Sequence, residues 1–210
     1  MYVLDDVNLS NWISSHGSPS RGFLKYLEQD LENDSRFQGF RVIQEAKLTP
    51  CVIDKIIQEA KSISPSLQCH LIILGGNNLR WHEESVETYM AKCDSLVKKF
   101  ENIPNAYLVF VSLIPSPKSH HVCEKVFLEV NTKLLSLVSG YQKFASFLNL
   151  NDIFLPNGRI NYTLFSDDKI HLTSLGTQRL AKAISAHLKK LPCEFPLETL
   201  SLLSIYEICL

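Results

Sequence analysis

The chain has 210 residues, 45% hydrophobic and 20% charged, and no linker-like stretch divides it, so one globular core is expected rather than two. Its 21 basic and 22 acidic residues leave a net charge of -1, which removes the global positive field that a general nucleic-acid coat protein needs. No apolar run approaches the ~20 residues of a bilayer span, and the start, MYVLDDVNLSNW, has neither a basic nor an apolar leader segment, so no membrane association is expected.

In chain order, short β-rich apolar runs alternate with longer runs of helical spacing, the pattern of βαβ units and a parallel sheet. The first strand is expected at Tyr2–Leu4. Phe23, Leu24, Leu27 and Leu31 then share one helical face before Asn33 and Asp34 break it, and a second strand follows at Phe40–Ile43. Thr49-Pro50 opens a helix, because a threonine oxygen accepts an orphan N–H and proline at the first helical position loses no bond. Val52, Ile53, Ile56, Ile57, Ala60 and Ile63 form its stripe, and Pro65 ends it.

Leu71–Leu74 is continuously apolar, as a central strand covered on both faces should be, and stops at Gly75-Gly76-Asn77-Asn78. A helix from Glu83 to Phe100 and a strand over Tyr107–Val111 follow, ending in the proline-rich loop Ile114–Pro117. Val126, Phe127, Val130, Leu134, Leu137 and Val138 give a helix closed by Gly140, and Phe144–Leu148 is the fifth strand. Leu150–Phe165 reads as loop with a turn at Asn157-Gly158, and the last clear helix covers Thr173–Lys189. The tail from Pro192 onward is rich in leucine and isoleucine and is expected to cover a sheet edge or meet a partner. The six cysteines of the whole chain lie far apart without a C-x-x-C pair, which reads as reduced thiols in a cytoplasmic protein.

In an open parallel sheet the loops at the carboxyl ends of the strands form the ligand crevice. Three segments are expected there: Asp5-Asp6-Val7, Gly75-Gly76-Asn77-Asn78, and the loop ending in Asp168-Lys169-Ile170-His171. Asp168 and His171, three apart at a helix entrance, allow a carboxylate to hold an imidazole in one tautomer, as a general base requires. Taken singly, Asp168 could instead be a helix-cap residue, His171 a packed neighbour and Asn77 a turn residue beside two glycines.

Taken together, these residues make the chain resemble the SGNH hydrolases, or GDSL-type esterases, over roughly residues 1–190, with 191–210 as an apolar tail. Leu74-Gly75-Gly76-Asn77-Asn78-Leu79-Arg80 is similar to the G-x-N-D block of that family, with Asn78 in place of the usual aspartate, and Phe165-Ser166-Asp167-Asp168-Lys169-Ile170-His171-Leu172 through Gly176 to its D-x-x-H-L block. The resemblance implies a three-layer αβα, flavodoxin-like domain with a five-stranded, mainly parallel sheet. It also implies that Asn77 is an oxyanion donor, that His171 and Asp168 are the base and its orienting carboxylate, and that Gly75, Gly76, Asn78 and Arg80 line the crevice.

Where the family carries G-D-S, this chain has Asp5-Asp6-Val7, and its second block, Ala46-Lys47-Leu48-Thr49, has no glycine. Valine cannot attack a carbonyl, and covalent acyl transfer needs a nucleophile within reach of the base. The resemblance therefore implies a pseudoenzyme that binds or recognises a protein or nucleic acid, and domains similar to this one accompany retroelement open reading frames. An alternative alignment makes Ser10 the nucleophile of an active esterase acting on a small ester or glycan, at the cost of extending the first strand through two carboxylates. Water activated directly by the Asp168–His171 pair is a lesser alternative. His82, His120, His121, Cys123 and His171 would suit zinc chemically but have no diagnostic spacing, so no metal and no cofactor are expected. Arg80, Trp81 and Lys118 could serve charge and stacking toward a nucleic acid or peptide, or be ordinary surface residues.

Overall fold

The computed structural model describes residues 25–27, 29–31, 49–62, 68–74, 79, 84–104, 106–118, 120–191 and 201–207. The expected strands Tyr2–Leu4 and Phe40–Ile43 lie outside these residues. Within them the chain is α/β with parallel strands.

Helix α1 (Pro50–Ser62) begins where the Thr49-Pro50 pair predicts, with Ile53 N–H donating to the Thr49 carbonyl at 2.9 Å. Its Ile53, Ile56, Ile57 and Ala60 are buried. Strand β1 (Gln68–Leu74) leads toward helix α2 (Val86–Phe100), whose N-cap is Ser85, with its side chain accepting from Thr88 N–H at 3.2 Å. Tyr89, Cys93, Leu96, Val97 and Phe100 form the buried stripe of α2. Lys98 and Lys99 occupy its last turn, where positive charge suits the helix dipole, and Lys99 Nζ also reaches Asp54 of α1 at 2.5 Å.

Strand β2 (Ala106–Val111) shows why the chain layers as it does. Leu108 and Phe110 point into a cluster shared with α1, α2 and the next helix, whereas Val109 and Val111 point into a second cluster on the other face. Side chains alternate along a strand, so a strand apolar at both parities must be covered on both sides. Helix α3 (His120–Ser139) adds Phe127, Val130, Leu134 and Val138 to the first cluster. Buried Asn131 on the same helix accepts from Leu113 N–H at 2.7 Å and donates to the Leu113 carbonyl at 3.0 Å, tying down the loop after β2.

Strand β3 (Ala145–Leu148) precedes a stretch read from sequence as loop, which instead holds a one-turn helix α4 (Asn151–Phe154) and two 3-10 turns, Pro156–Gly158 and Tyr162–Leu164. Fully buried Phe154 anchors this stretch in the second cluster, and that tertiary anchor has no periodic signature. Asn157 and Gly158 both have positive φ, 56° and 73°, the left-handed geometry that makes Asn-Gly a turn. Helix α5 (Ser174–Leu188) is N-capped by Thr173 and buries Leu180, Ala181, Ile184 and Leu188 in the second cluster.

The tail supplies a strand, β4 (Ser201–Glu207). Strand order is β3-β2-β1-β4, all pairs parallel, with β4 in register with β1 from Gln68↔Ser201 to Leu74↔Glu207. Among the described residues the sheet thus has four strands where five were expected, and one of the four, β4, was not among those expected. Parallel pairing puts the carboxyl ends Leu74, Val111, Leu148 and Glu207 along one edge. No helix among the described residues is long and apolar enough to cross a membrane.

Candidate functional site

The site residues that can be placed stand in the turn that precedes α5. Phe165 and Leu172, 8% and 7% exposed, form an isolated antiparallel bridge, so the two arms of the turn are rooted in the second cluster. Ser166 N–H donates to the His171 carbonyl at 2.8 Å, and Lys169 N–H donates to the Ser166 carbonyl at 2.9 Å. The chain reverses between them with Lys169 at φ 60°, a left-handed conformation that costs a residue with a Cβ.

Asp168 and His171 meet as their spacing predicts, with the Asp168 Oδ2 against the His171 Nδ1. The other oxygen, Oδ1, accepts from Ile170 N–H at 2.9 Å, His171 N–H at 3.0 Å and Ser166 Oγ at 2.7 Å. Partial burial pushes the Asp168 carboxyl up, but the hydrogen bonds from the His171 ring, the two backbone N–H groups and Ser166 outweigh it and hold the group well below the usual carboxylate range. Asp168 is therefore ionised throughout the physiological range. The His171 side chain is 26% exposed, so the ring is held and also reachable from solvent.

The turn is joined to the carboxyl edge of the sheet through the loop after β2. Lys118 N–H donates to the Lys169 carbonyl at 3.1 Å, and Lys118 itself is exposed. On the helix side, Thr173 N–H donates to the Leu164 carbonyl at 2.9 Å, and Thr173 Oγ1 accepts from Gly176 N–H at 3.1 Å. Gly176 is required here, because a Cβ would fall on the Leu164 carbonyl oxygen.

Val7, Ser10, Gly75, Gly76, Asn77, Asn78 and Arg80 lie outside the described residues, as do Trp81 and His82. The glycine–asparagine block is bracketed by Leu74, at the carboxyl end of β1, and by Leu79, which is 2% exposed. His120, His121 and Cys123 belong to the first turn of α3. Among the described residues no group of three or more His, Cys, Asp or Glu is placed to hold a metal ion. Ser166, inside the D-x-x-H-L block, is a contact of Asp168 to which the sequence reading gave no role. Its only signal was a hydroxyl two positions before the aspartate of the D-x-x-H block.

No protein-family model and no curated protein matches the sequence. Solved structures do match. A Streptococcus pneumonia protein named for platelet activating factor superposes with a TM-score of 0.51 at 15% identity, over 86% of this chain and 96% of the other. The OSK domain of Drosophila Oskar superposes with a TM-score of 0.51 at 12% identity, over 85% and 99%. The family 3 carbohydrate esterase of Clostridium thermocellum is 18% identical over 66% and 67%, with a TM-score of 0.47. With β1–β4 all parallel, the two superpositions at a TM-score of 0.51 make the fold SGNH-hydrolase-like.

Proposed function

We propose that this SGNH-fold domain has lost covalent esterase chemistry and acts as a binding or recognition module. The observation that carries the reading is the contrast between its two halves. Asp168 and His171 are assembled with four donors on the carboxylate, whereas the sequence reading puts Val7, outside the described residues, at the family's nucleophile position. Without a hydroxyl to deprotonate, a held imidazole is a directional hydrogen-bonding group in a crevice rather than a base that starts acyl transfer. The exposed Lys118, with Arg80 as the sequence places it, would add positive charge for a protein or nucleic-acid ligand.

One observation favours a second reading, an active esterase. A pure binding surface does not require four donors on one carboxylate, whereas a general base gains from such fixing. In that reading the Ser10 hydroxyl loses its proton to His171, attacks the ester carbonyl, and Asn77 stabilises the oxyanion.

The test is hydrolysis of short-chain nitrophenyl esters by the parent protein, Val7→Ser, Ser10→Ala and His171→Ala. The binding-module reading expects an inert parent and gains further support if Val7→Ser turns over ester. Parent activity abolished by both Ser10→Ala and His171→Ala would overturn it in favour of the esterase.

A further inference from the structure

We propose that Ser166 is a positioning residue for His171, acting through Asp168. The inference rests on the reading of Asp168 and His171 as the site pair and concerns what sets their geometry.

The Ser166 hydroxyl stands 2.7 Å from Asp168 Oδ1 and 3.0 Å from the His171 carbonyl oxygen, and it has one proton to give. The carbonyl is already served by Ser166 N–H, so the proton goes to the carboxylate, the charged and stronger acceptor. This third donor differs in kind from the other two. Ile170 N–H and His171 N–H both approach Oδ1 from the far side of the turn, and the terminal torsion of an aspartate is soft. Ser166 approaches from the near arm, which Phe165 roots in the core, so Oδ1 is held between the two arms of the turn.

With Oδ1 fixed from both arms, Oδ2 has one direction left, toward His171 Nδ1. A carboxylate accepts only from a protonated nitrogen, so Nδ1 carries the hydrogen and Nε2 is the nitrogen that keeps its lone pair in the neutral ring. Ser166 thereby selects the imidazole tautomer without touching the imidazole. The choice matters in both functional readings, because Nε2 is then the atom that accepts from a ligand donor or from a nucleophile.

Nitrogen-resolved NMR of the histidine rings in the full-length protein, with His171 assigned by His171→Gln, tests this on resting protein with no ester or ligand. Its outcome is therefore independent of whether hydrolysis is found. The parent and Ser166→Thr should hold His171 in the Nδ1–H form, and Ser166→Ala should shift the tautomer ratio toward Nε2–H by roughly three- to tenfold, the scale of one net hydrogen bond, since the loss reaches the ring only through Asp168. Ser166→Cys keeps the volume but donates weakly, and should behave as the alanine variant does. A folded Ser166→Ala or Ser166→Cys with the parent's tautomer ratio would overturn the proposal, as would a parent that holds the Nε2–H form.

Discussion

Replacing Gly176 by alanine sets two physical effects of opposite sign against each other. Gly176 sits in the first turn of α5, where helix propensity alone favours alanine by about 1 kcal/mol. The built Cβ, however, would fall on the Leu164 carbonyl oxygen and stand 3.1 Å from the Leu164 carbonyl carbon and 3.2 Å from Leu172 Cβ. Two of these three atoms are backbone, so no side-chain rotation relieves the clash. The start of α5 must move from the 162–164 turn, at the roughly 1–3 kcal/mol of overpacking, and weaken the Thr173 N–H to Leu164 bond of 2.9 Å, worth about 1 kcal/mol. Subtracting the propensity gain leaves a net loss of about 1–3 kcal/mol. Urea unfolding followed by far-UV circular dichroism measures it, as a lower midpoint at unchanged slope. A Gly176→Ala protein as stable as the parent, or more so, would refute the close approach of α5 to residue 164 on which the placement of the Asp168–His171 turn depends.

Asn131→Ala removes both side-chain bonds to buried Leu113 and should cost about 2–4 kcal/mol in the same unfolding assay, whereas a loss under about 0.5 kcal/mol would show the loop after β2 held by other means. His187, half-buried on α5 with Nε2 2.8 Å from Ser146 Oγ, is pushed below its ordinary value of 6.5 by burial and by the Lys190 charge. Below pH 6.5 the unfolded chain takes up a proton that the folded one refuses, so stability falls as the pH drops from there toward the folded value. Comparing unfolding free energies at neutral and mildly acidic pH should show this slope in the parent and less of it in His187→Gln, and equal slopes would dismiss the assignment. Burial pushes the Cys93 thiol up to about 12, while Cys51 is exposed. A thiol reagent at mildly alkaline pH should therefore modify Cys51 in the native protein and reach Cys93 only on unfolding, which peptide mapping of the labelled sites reads directly.

How much of this was legible depended on whether a residue's role is decided by its neighbours in sequence or in space. Thr49-Pro50 and the isoleucines of α1 declare a helix locally, and the apolar run Leu71–Leu74 declares a strand. The polar start of β1 at Gln68 and all of β4 are strands because they pair with each other in register, and the tail's leucines and isoleucines keep no clean alternation to announce it. In the site, Asp168 and His171 were readable as a pair because one short turn carries both, so their spacing decides their contact. Ser166 was not, because a serine near an aspartate is common and only the folded turn aims its hydroxyl at Oδ1. Asn131 left a clearer trace, a polar residue four positions after Phe127 within a stripe that otherwise runs apolar to Leu134 and Val138.

The parallel pairing of β4 with β1 bears on how the chain is made. A growing chain emerges with β1, β2 and β3 and the helices between them long before residues 201–207 exist, so the flank of β1 that β4 covers waits without that partner. Such a flank is a template for any extended segment, including one from a neighbouring nascent chain. The β4–β1 pairing also joins strands far apart in sequence, the kind of closure that slows folding because loop entropy is lost before contacts repay it. Chaperone occupancy during synthesis should accordingly persist until β4 has left the ribosome.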